Sequence, residues 1–213
     1  MPFHSSDGHW AGSPQPRPLA PEHLVRDGAN FAAIRAAEQS IDDGRPLIFV
    51  GDVGAGKTTI MHWLARELWA GDVKAGRYSA IRSERTRATW LDLPYFWTTA
   101  DAYVEDVMAS WKMKFDHPAE LYEPEGIAFT CRRLFVDDLG WEASTKGRAA
   151  ERSSHLTRLI VEREARGLPT WYTTNVPLEQ LVTMYGERAA DRLRASIAGV
   201  ITVGGGSRRS SVA

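Results

Sequence analysis

Apolar and polar positions along the chain form two kinds of segment. Short continuous apolar runs, of which LIFV at 47–50 is the first, are typical of strands that are buried on both faces of a sheet. Longer segments with apolar residues at helical spacing lie between these runs. The runs predict strands at 47–50, 94–99, 131–140, 168–175 and 199–203. The periodic segments predict helices within 22–44, from 57 to about 70, and at 100–115, 147–167, 177–186 and 187–196.

This alternation of strands and helices predicts an α/β fold, with a parallel five-stranded sheet that carries helices on both faces. The two ends of the chain differ from this middle part in composition. Residues 1–20 are rich in Pro, Gly and Ser and are expected to be disordered, and 21–46 are expected to form a helical segment. The core is expected to span 47–203, and 204–213 form a tail of Gly, Ser and Arg.

Composition limits what the chain can do. Its 213 residues are enough for one α/β domain, and a formal net charge of −1 means that nucleic acid would have to bind a local basic patch. The single cysteine, Cys131, cannot form an internal disulfide. The N-terminus does not resemble a signal peptide, and no stretch approaches the roughly 20 apolar residues of a membrane span. We therefore expect a cytoplasmic protein without membrane contact.

A glycine-rich segment, GDVGAGKTT at 51–59, directly follows the first predicted strand and begins the next helix. This strand, loop and helix context is that of a phosphate-binding Walker A loop. The glycines allow backbone N–H groups to face a phosphate, and the helix contributes its positive N-terminal end. Lys57 can reach the β- and γ-phosphate oxygens, and the Thr58 hydroxyl can bind Mg²⁺. The predicted nucleotide-binding residues are Gly51, Asp52, Val53, Gly54, Ala55, Gly56, Lys57, Thr58 and Thr59.

Two carboxylates end the predicted strand RLFVDD. Asp137 closes the apolar run and would hold Mg²⁺ through water, and Asp138 could orient or deprotonate an attacking water molecule. An isolated Asp-Asp pair is more often a solvated turn, but the buried strand and the Walker A loop favour the functional interpretation. The sequence thus predicts ATP and Mg²⁺ as ligands.

Asn175 ends the predicted strand TWYTTN. A polar residue at this position would lie at the carboxyl edge of the sheet, where ligands of open α/β sheets bind. There it could position the attacking water or contact the γ-phosphate. The alternative role is that of a helix cap before Pro177.

Together these stretches resemble AAA+ ATPases of the DnaC/IstB type, the bacterial helicase loaders and their transposition relatives. GDVGAGKTT, LFVDDLGWEAST, PTWYTTNVPLEQL and GERAADRLR occur in the family's order and span about 47 to 209. The resemblance implies an AAA+ core without a separate C-terminal lid domain. It makes Asp137 and Asp138 the Walker B pair and Asn175 sensor 1.

The same resemblance implies two arginines that contact the γ-phosphate. The family's box VII arginine matches Arg192 and would act on the nucleotide of a neighbouring subunit, with Arg188, on the same helix face, as the next candidate. GGSRR in the tail fits the family's C-terminal signature and makes Arg209 a contact like that of sensor 2. Self-association through a composite ATP site follows from these roles.

Single-stranded DNA is a further expected partner, because the family binds it and because the chain has segments that mix cations with aromatic rings. The residues concerned could equally form a solvated loop and part of the core. They are Arg77, Arg82, Arg85 and Arg87 with Trp90, and Trp111 with Lys112 and Lys114.

The first functional hypothesis is therefore a slow ATPase that loads a replicative helicase onto single-stranded DNA. An IstB-like ATPase, acting on target DNA and a transposase, uses the same site with another partner. A P-loop small-molecule kinase would use an arginine-rich lid, which RSERTRATW could imitate, but VDDLG, TTN and DRLR oppose it. A nucleotide-binding adaptor with negligible hydrolysis is the fourth hypothesis, because Asp138 stands where strong AAA+ ATPases usually have Glu.

Overall fold

The computed structural model describes Leu24 and residues 26–76, 95–116, 124–141 and 149–205. The strands are β1 (Leu47–Val50), β2 (Tyr95–Thr99), β3 (Arg133–Leu139), β4 (Thr170–Thr174) and β5 (Gly199–Thr202). The helices are α1 (Phe31–Asp43), α2 (Lys57–Lys74), α3 (Ala100–Asp116), α4 (Pro124–Thr130), α5 (Ala149–Ala165), α6 (Leu178–Tyr185) and α7 (Glu187–Ser196). Each of the five predicted strands is present.

The five strands form one parallel sheet in the order β2-β3-β4-β1-β5. Because every strand runs in the same direction, the carboxyl ends of β1, β3 and β4 lie side by side in the middle of one edge. The Walker A loop follows β1, the two aspartates end β3, and Asn175 follows β4. The strand order therefore brings together three groups that are far apart in the sequence.

Helices cover both faces of the sheet, as the apolar runs predict. On one face, α1 and α2 supply Ile34 and Leu64, which pack in a cluster with Phe135 of β3. On the other face, α3 to α7 pack against Leu134 and Val136 of the same strand. Successive residues of β3 thus lie in opposite cores, which is why a doubly buried strand is a continuous apolar run rather than an alternating one.

The observed elements differ from the predicted ones by a few residues at several ends, and one helix is not predicted. Helix α2 continues to Lys74, and β4 ends at Thr174, one residue before Asn175. The short helix α4 is not predicted, because seven residues carry too weak a periodic signal and such a helix is stabilised by tertiary contacts rather than by propensity. The buried guanidinium of Arg163 supplies such contacts, since it donates to the carbonyls of Ala128 and Cys131 at the end of α4.

Within the described residues, none of the helices combines the length and the apolar character that a membrane crossing requires. Cys131 is buried and free, as expected.

Candidate nucleotide-binding site

Glycines in the loop between β1 and α2 occupy positions that do not suit a residue with a Cβ atom, and Gly51 and Gly56 are two examples. A Cβ atom at Gly51 would lie 2.3 Å from the carbonyl oxygen of Val203, so the loop passes directly against the chain that leaves β5. Gly56, at the start of α2, has a φ of 98° in the left-handed region. It brings no side chain to the helix end, and no side chain in the described part of the chain caps that end. Such an N-terminus is a site for an anion.

Lys57 is buried inside this loop. Its Nζ atom donates hydrogen bonds of 2.9 Å to the carbonyl oxygens of Gly51 and Asp52. A third hydrogen bond, of 2.5 Å, joins Nζ to Oδ1 of Asn175. Asn175, which is expected at the carboxyl edge of the sheet, thus contacts the Walker A lysine across 118 positions of sequence.

Asn175 connects the lysine to the second aspartate. Its amide nitrogen Nδ2 lies 3.4 Å from Oδ1 of Asp138. If Asn175 capped a helix, that helix would begin at residue 176. Helix α6 begins instead at Leu178 with Pro177 as its N-cap, and no side chain of the described residues caps it. The side chain of Asn175 is thus directed to the loop and to Asp138 rather than to the helix.

Asp137 is buried where β3 meets β4 and α2. Its Oδ1 atom accepts a hydrogen bond of 3.0 Å from the hydroxyl of Thr58 and a shorter one from the hydroxyl of Thr173. The two residues that are predicted to hold Mg²⁺ therefore lie next to each other. Thr173 is a site residue that the sequence did not lead us to predict, although two consecutive polar residues at the carboxyl end of a fully buried strand are a detectable signal.

Asp138 has an unusual backbone conformation, with a φ of 55°. Among the described residues it is the only non-glycine residue with a positive φ, and such residues often mark functional sites. The register between β3 and β4 shifts between Val136 and Leu139, so Asp138 lies in a β-bulge. The bulge leaves its carboxylate partly exposed beside Asn175, whereas Asp137 is buried.

The environment of Asp137 changes its ionisation. Burial raises the pKa of this carboxyl to about 6, and the neighbouring charge of Asp138 raises it too, whereas hydrogen bonds from Thr173 and Thr58 and the charge of Lys57 lower it. A folded-state pKa above the unfolded value means that the folded protein binds the proton more tightly. This contribution to stability is present at low pH and is lost as the pH rises through about 6.

We therefore expect Asp137→Asn to stabilise the nucleotide-free protein at pH 7.5 by about 1–3 kcal/mol, because a buried charge is removed and Asn can still accept the two hydroxyl hydrogen bonds. Urea unfolding at pH 7.5 and pH 5 measures this gain, which should shrink at pH 5. The exposed Asp191→Asn on α7 serves as the control and should show no such pH-dependent gain. The account would be contradicted if Asp137→Asn lowered the free energy of unfolding at pH 7.5, or if it raised this free energy equally at pH 7.5 and pH 5.

The residues present fit ATP and Mg²⁺. The hydroxyl of Thr58 and the carboxylate of Asp137, whose oxygens lie 3.0 Å apart, are the hard oxygen ligands that Mg²⁺ prefers. The loop offers an uncapped helix N-terminus and a buried lysine to the phosphates. Of the other loop residues, Ala55 is buried, Thr59 is half-buried, and Asp52 and Val53 are exposed at the surface.

Two of the predicted arginines, Arg192 and Arg188, are among the described residues, and both lie on α7. Arg192 lies on α7, is 44% exposed and forms an ion pair of 2.5 Å with Glu164 of α5. Arg188 is exposed one turn earlier on the same helix. Arg209 lies beyond the described residues, and so does the arginine-rich segment, Arg77 to Trp90. Trp111 is exposed and makes an edge contact with His155, while the side chains of Lys112 and Lys114 are also outside the described set.

The sheet order and the loop, carboxylate and asparagine at its carboxyl edge define a P-loop α/β domain. Comparison with solved structures agrees. A structure of DnaI matches with 19% identity and a TM-score of 0.57, covering 87% of each chain. The DnaC helicase loader matches with 17% identity and a TM-score of 0.60, covering 86% of this chain and 94% of that one.

A replication initiator, DnaA bound to AMPPCP and single-stranded DNA, matches with 12% identity and a TM-score of 0.59. The match covers 85% of this chain but 48% of that one. No family model and no curated protein sequence matches the chain. At these identities the likeness is one of fold, and it confirms the predicted P-loop α/β core with a parallel five-stranded sheet and the structural resemblance to DnaC-type proteins.

Proposed function

We propose that the chain is a DnaC-like AAA+ replication protein that binds and hydrolyses ATP and loads a replicative helicase onto single-stranded DNA. The observation that carries the ATPase part is the connected set of Lys57, Asn175 and Asp138 beside the pair of Thr58 and Asp137. A chance glycine-rich turn would not have its lysine hydrogen-bonded to the end of one neighbouring strand and its threonine to the end of another.

Each residue has a distinct role in this proposal. The loop N–H groups and Lys57 hold the phosphates, and Thr58 and Asp137 hold Mg²⁺, which neutralises charge on the phosphate oxygens when bound. Asp138 orients or deprotonates the attacking water molecule, which Asn175 helps to position. Lys57 exchanges part of its contact with Asn175 for the γ-phosphate, so Asn175 responds to the state of the nucleotide.

A neighbouring subunit completes the site in this proposal. Arg192 is exposed on α7 and lies in ion-pair contact with Glu164 rather than with the loop of its own chain. An exposed pair of this kind contributes about 0–1 kcal/mol, so the arginine can leave Glu164 at little cost to reach a phosphate across a subunit junction. In this proposal, ATP binding couples the self-association of the subunits to the binding of the helicase.

The choice of partner rests on the structural neighbours. The DnaC helicase loader shares the fold over nearly its whole matched chain, and the DnaA neighbour was solved with single-stranded DNA and AMPPCP. Both support a replication role, in which the helicase and single-stranded DNA are the partners and the cytoplasm is the place of action.

A pull-down with the cognate replicative helicase, with ATP, with ADP and without nucleotide, tests the partner. We expect retention of the helicase that changes with the nucleotide. Lys57→Met, which keeps most of the buried side-chain volume, should make retention independent of nucleotide, whereas Lys74→Ala at the exposed end of α2 should behave as wild type. Loss of helicase retention in every nucleotide state would exclude the loader function and favour an IstB-like role with a transposase.

A further inference from the structure

At the bulge in β3, two backbone groups form hydrogen bonds with side chains of β4. Val136 is opposite Tyr172 and Leu139 is opposite Thr174, so three steps along β3 match two along β4. Hydroxyl groups of β4 complete the pairing. The N–H of Asp138 donates to Oγ1 of Thr173 at 2.9 Å, and Oγ1 of Thr174 donates to the carbonyl of Leu139 at 2.6 Å. Side chains of β4 thus stabilise the bulge.

Thr173 makes two of its contacts with the carboxylate pair itself. Its hydroxyl proton is donated to Oδ1 of Asp137, and its oxygen accepts the N–H of Asp138. A hydroxyl has one proton to donate, so this arrangement directs the proton to Asp137. The residue is fully buried, which keeps competing water away from both hydrogen bonds. One side chain therefore orients the first carboxylate and fixes the backbone of the second.

We propose that Thr173 is a positioning residue of the nucleotide site, which holds Asp137 toward Thr58 and keeps Asp138 in the left-handed conformation beside Asn175. This inference rests on the proposed function. Thr173 acts through the two aspartates, since its hydroxyl is already engaged with both of them. Residues that orient metal ligands in this way typically change metal affinity by about 10- to 100-fold when they are replaced.

Thr173→Val tests the inference, because it keeps the shape and β-branching of threonine but removes both hydrogen bonds. We expect the Mg²⁺ concentration that half-saturates ATP binding to rise at least about 10-fold, while ATP binding without Mg²⁺ changes by less than about 3-fold. Hydrolysis should fall in parallel. Thr173→Ser, which restores the hydroxyl, should return both quantities to within about 3-fold of wild type. Thr173→Ala carries the same test should the valine variant not fold.

Thr170→Val is the matched control. Thr170 lies on the same strand and is also buried, but its hydroxyl accepts from Arg163 at the opposite end of the sheet. This variant should lose stability and keep the wild-type Mg²⁺ dependence. Wild-type Mg²⁺ dependence in Thr173→Val, or an equal change in Thr170→Val, would overturn the inference. Failure of the wild-type protein to bind ATP would instead refute the proposed function, so the two failures are distinct.

Discussion

Lys57→Met is expected to reduce ATP hydrolysis on the order of 10²–10³-fold, because it removes the buried charge that meets the phosphates. The ammonium group of Lys57 donates hydrogen bonds to two loop carbonyls and to Asn175. Methionine keeps most of the buried volume but supplies none of these hydrogen bonds. The rate of phosphate release from ATP, measured with saturating Mg²⁺, tests this expectation.

Lys74→Ala is the control for the lysine variant. Lys74 lies on the same helix but is exposed at its far end, seventeen positions from Lys57 by their numbers. Its replacement should leave the rate within about 2-fold of wild type, as is usual for surface substitutions. Unfolding curves show whether each variant is folded. If a folded Lys57→Met variant hydrolysed ATP at the wild-type rate, the Walker A loop would not be the site of hydrolysis.

Arg192→Ala is expected to reduce hydrolysis by about 10³-fold or more, the range observed when an arginine finger is absent. Stability should change by no more than about 1 kcal/mol, since the partly exposed pair with Glu164 contributes little. The combination of a large kinetic effect with a small effect on stability distinguishes a phosphate contact from a structural ion pair. Hydrolysis rates and urea unfolding, measured on the same preparation, provide both quantities.

Arg194→Ala provides the comparison for Arg192. Arg194 lies on the same helix and faces Asp191 at 3.8 Å, so it is an equally superficial arginine without a predicted phosphate contact. Its loss should leave hydrolysis within about 2-fold of wild type. If Arg192→Ala hydrolysed ATP at the wild-type rate, Arg192 would not contact the phosphate. Arg188, which shares its helix face, would then be the candidate for that contact.

The strands and the loop could be predicted because their signals are local. A continuous apolar run indicates a buried strand, and glycines, lysine and threonine at fixed spacing indicate a phosphate loop. The position of Asn175 near the Walker A loop could be expected as well, because the carboxyl ends of parallel strands share one edge of the sheet. The comparisons confirm the resulting fold.

The remaining features depend on contacts that no local pattern specifies. The role of Thr173 requires a bulge in the neighbouring strand, and a bulge arises from the pairing of β3 with β4 rather than from either sequence alone. The pair of Arg192 with Glu164 joins two helices through side chains 28 positions apart. Helix α4 depends on the buried Arg163 of a later helix. Each feature becomes visible only once the tertiary structure is known.

Mixing the two inactive variants tests most directly the central claim that neighbouring subunits share each ATP site. A site of an Arg192→Ala subunit keeps Lys57, and a Lys57→Met neighbour supplies the missing Arg192. Random assembly of an equimolar mixture should restore about a quarter of the wild-type hydrolysis rate, because about one junction in four is then complete. A mixture no more active than the average of the two separate variants would contradict the shared site.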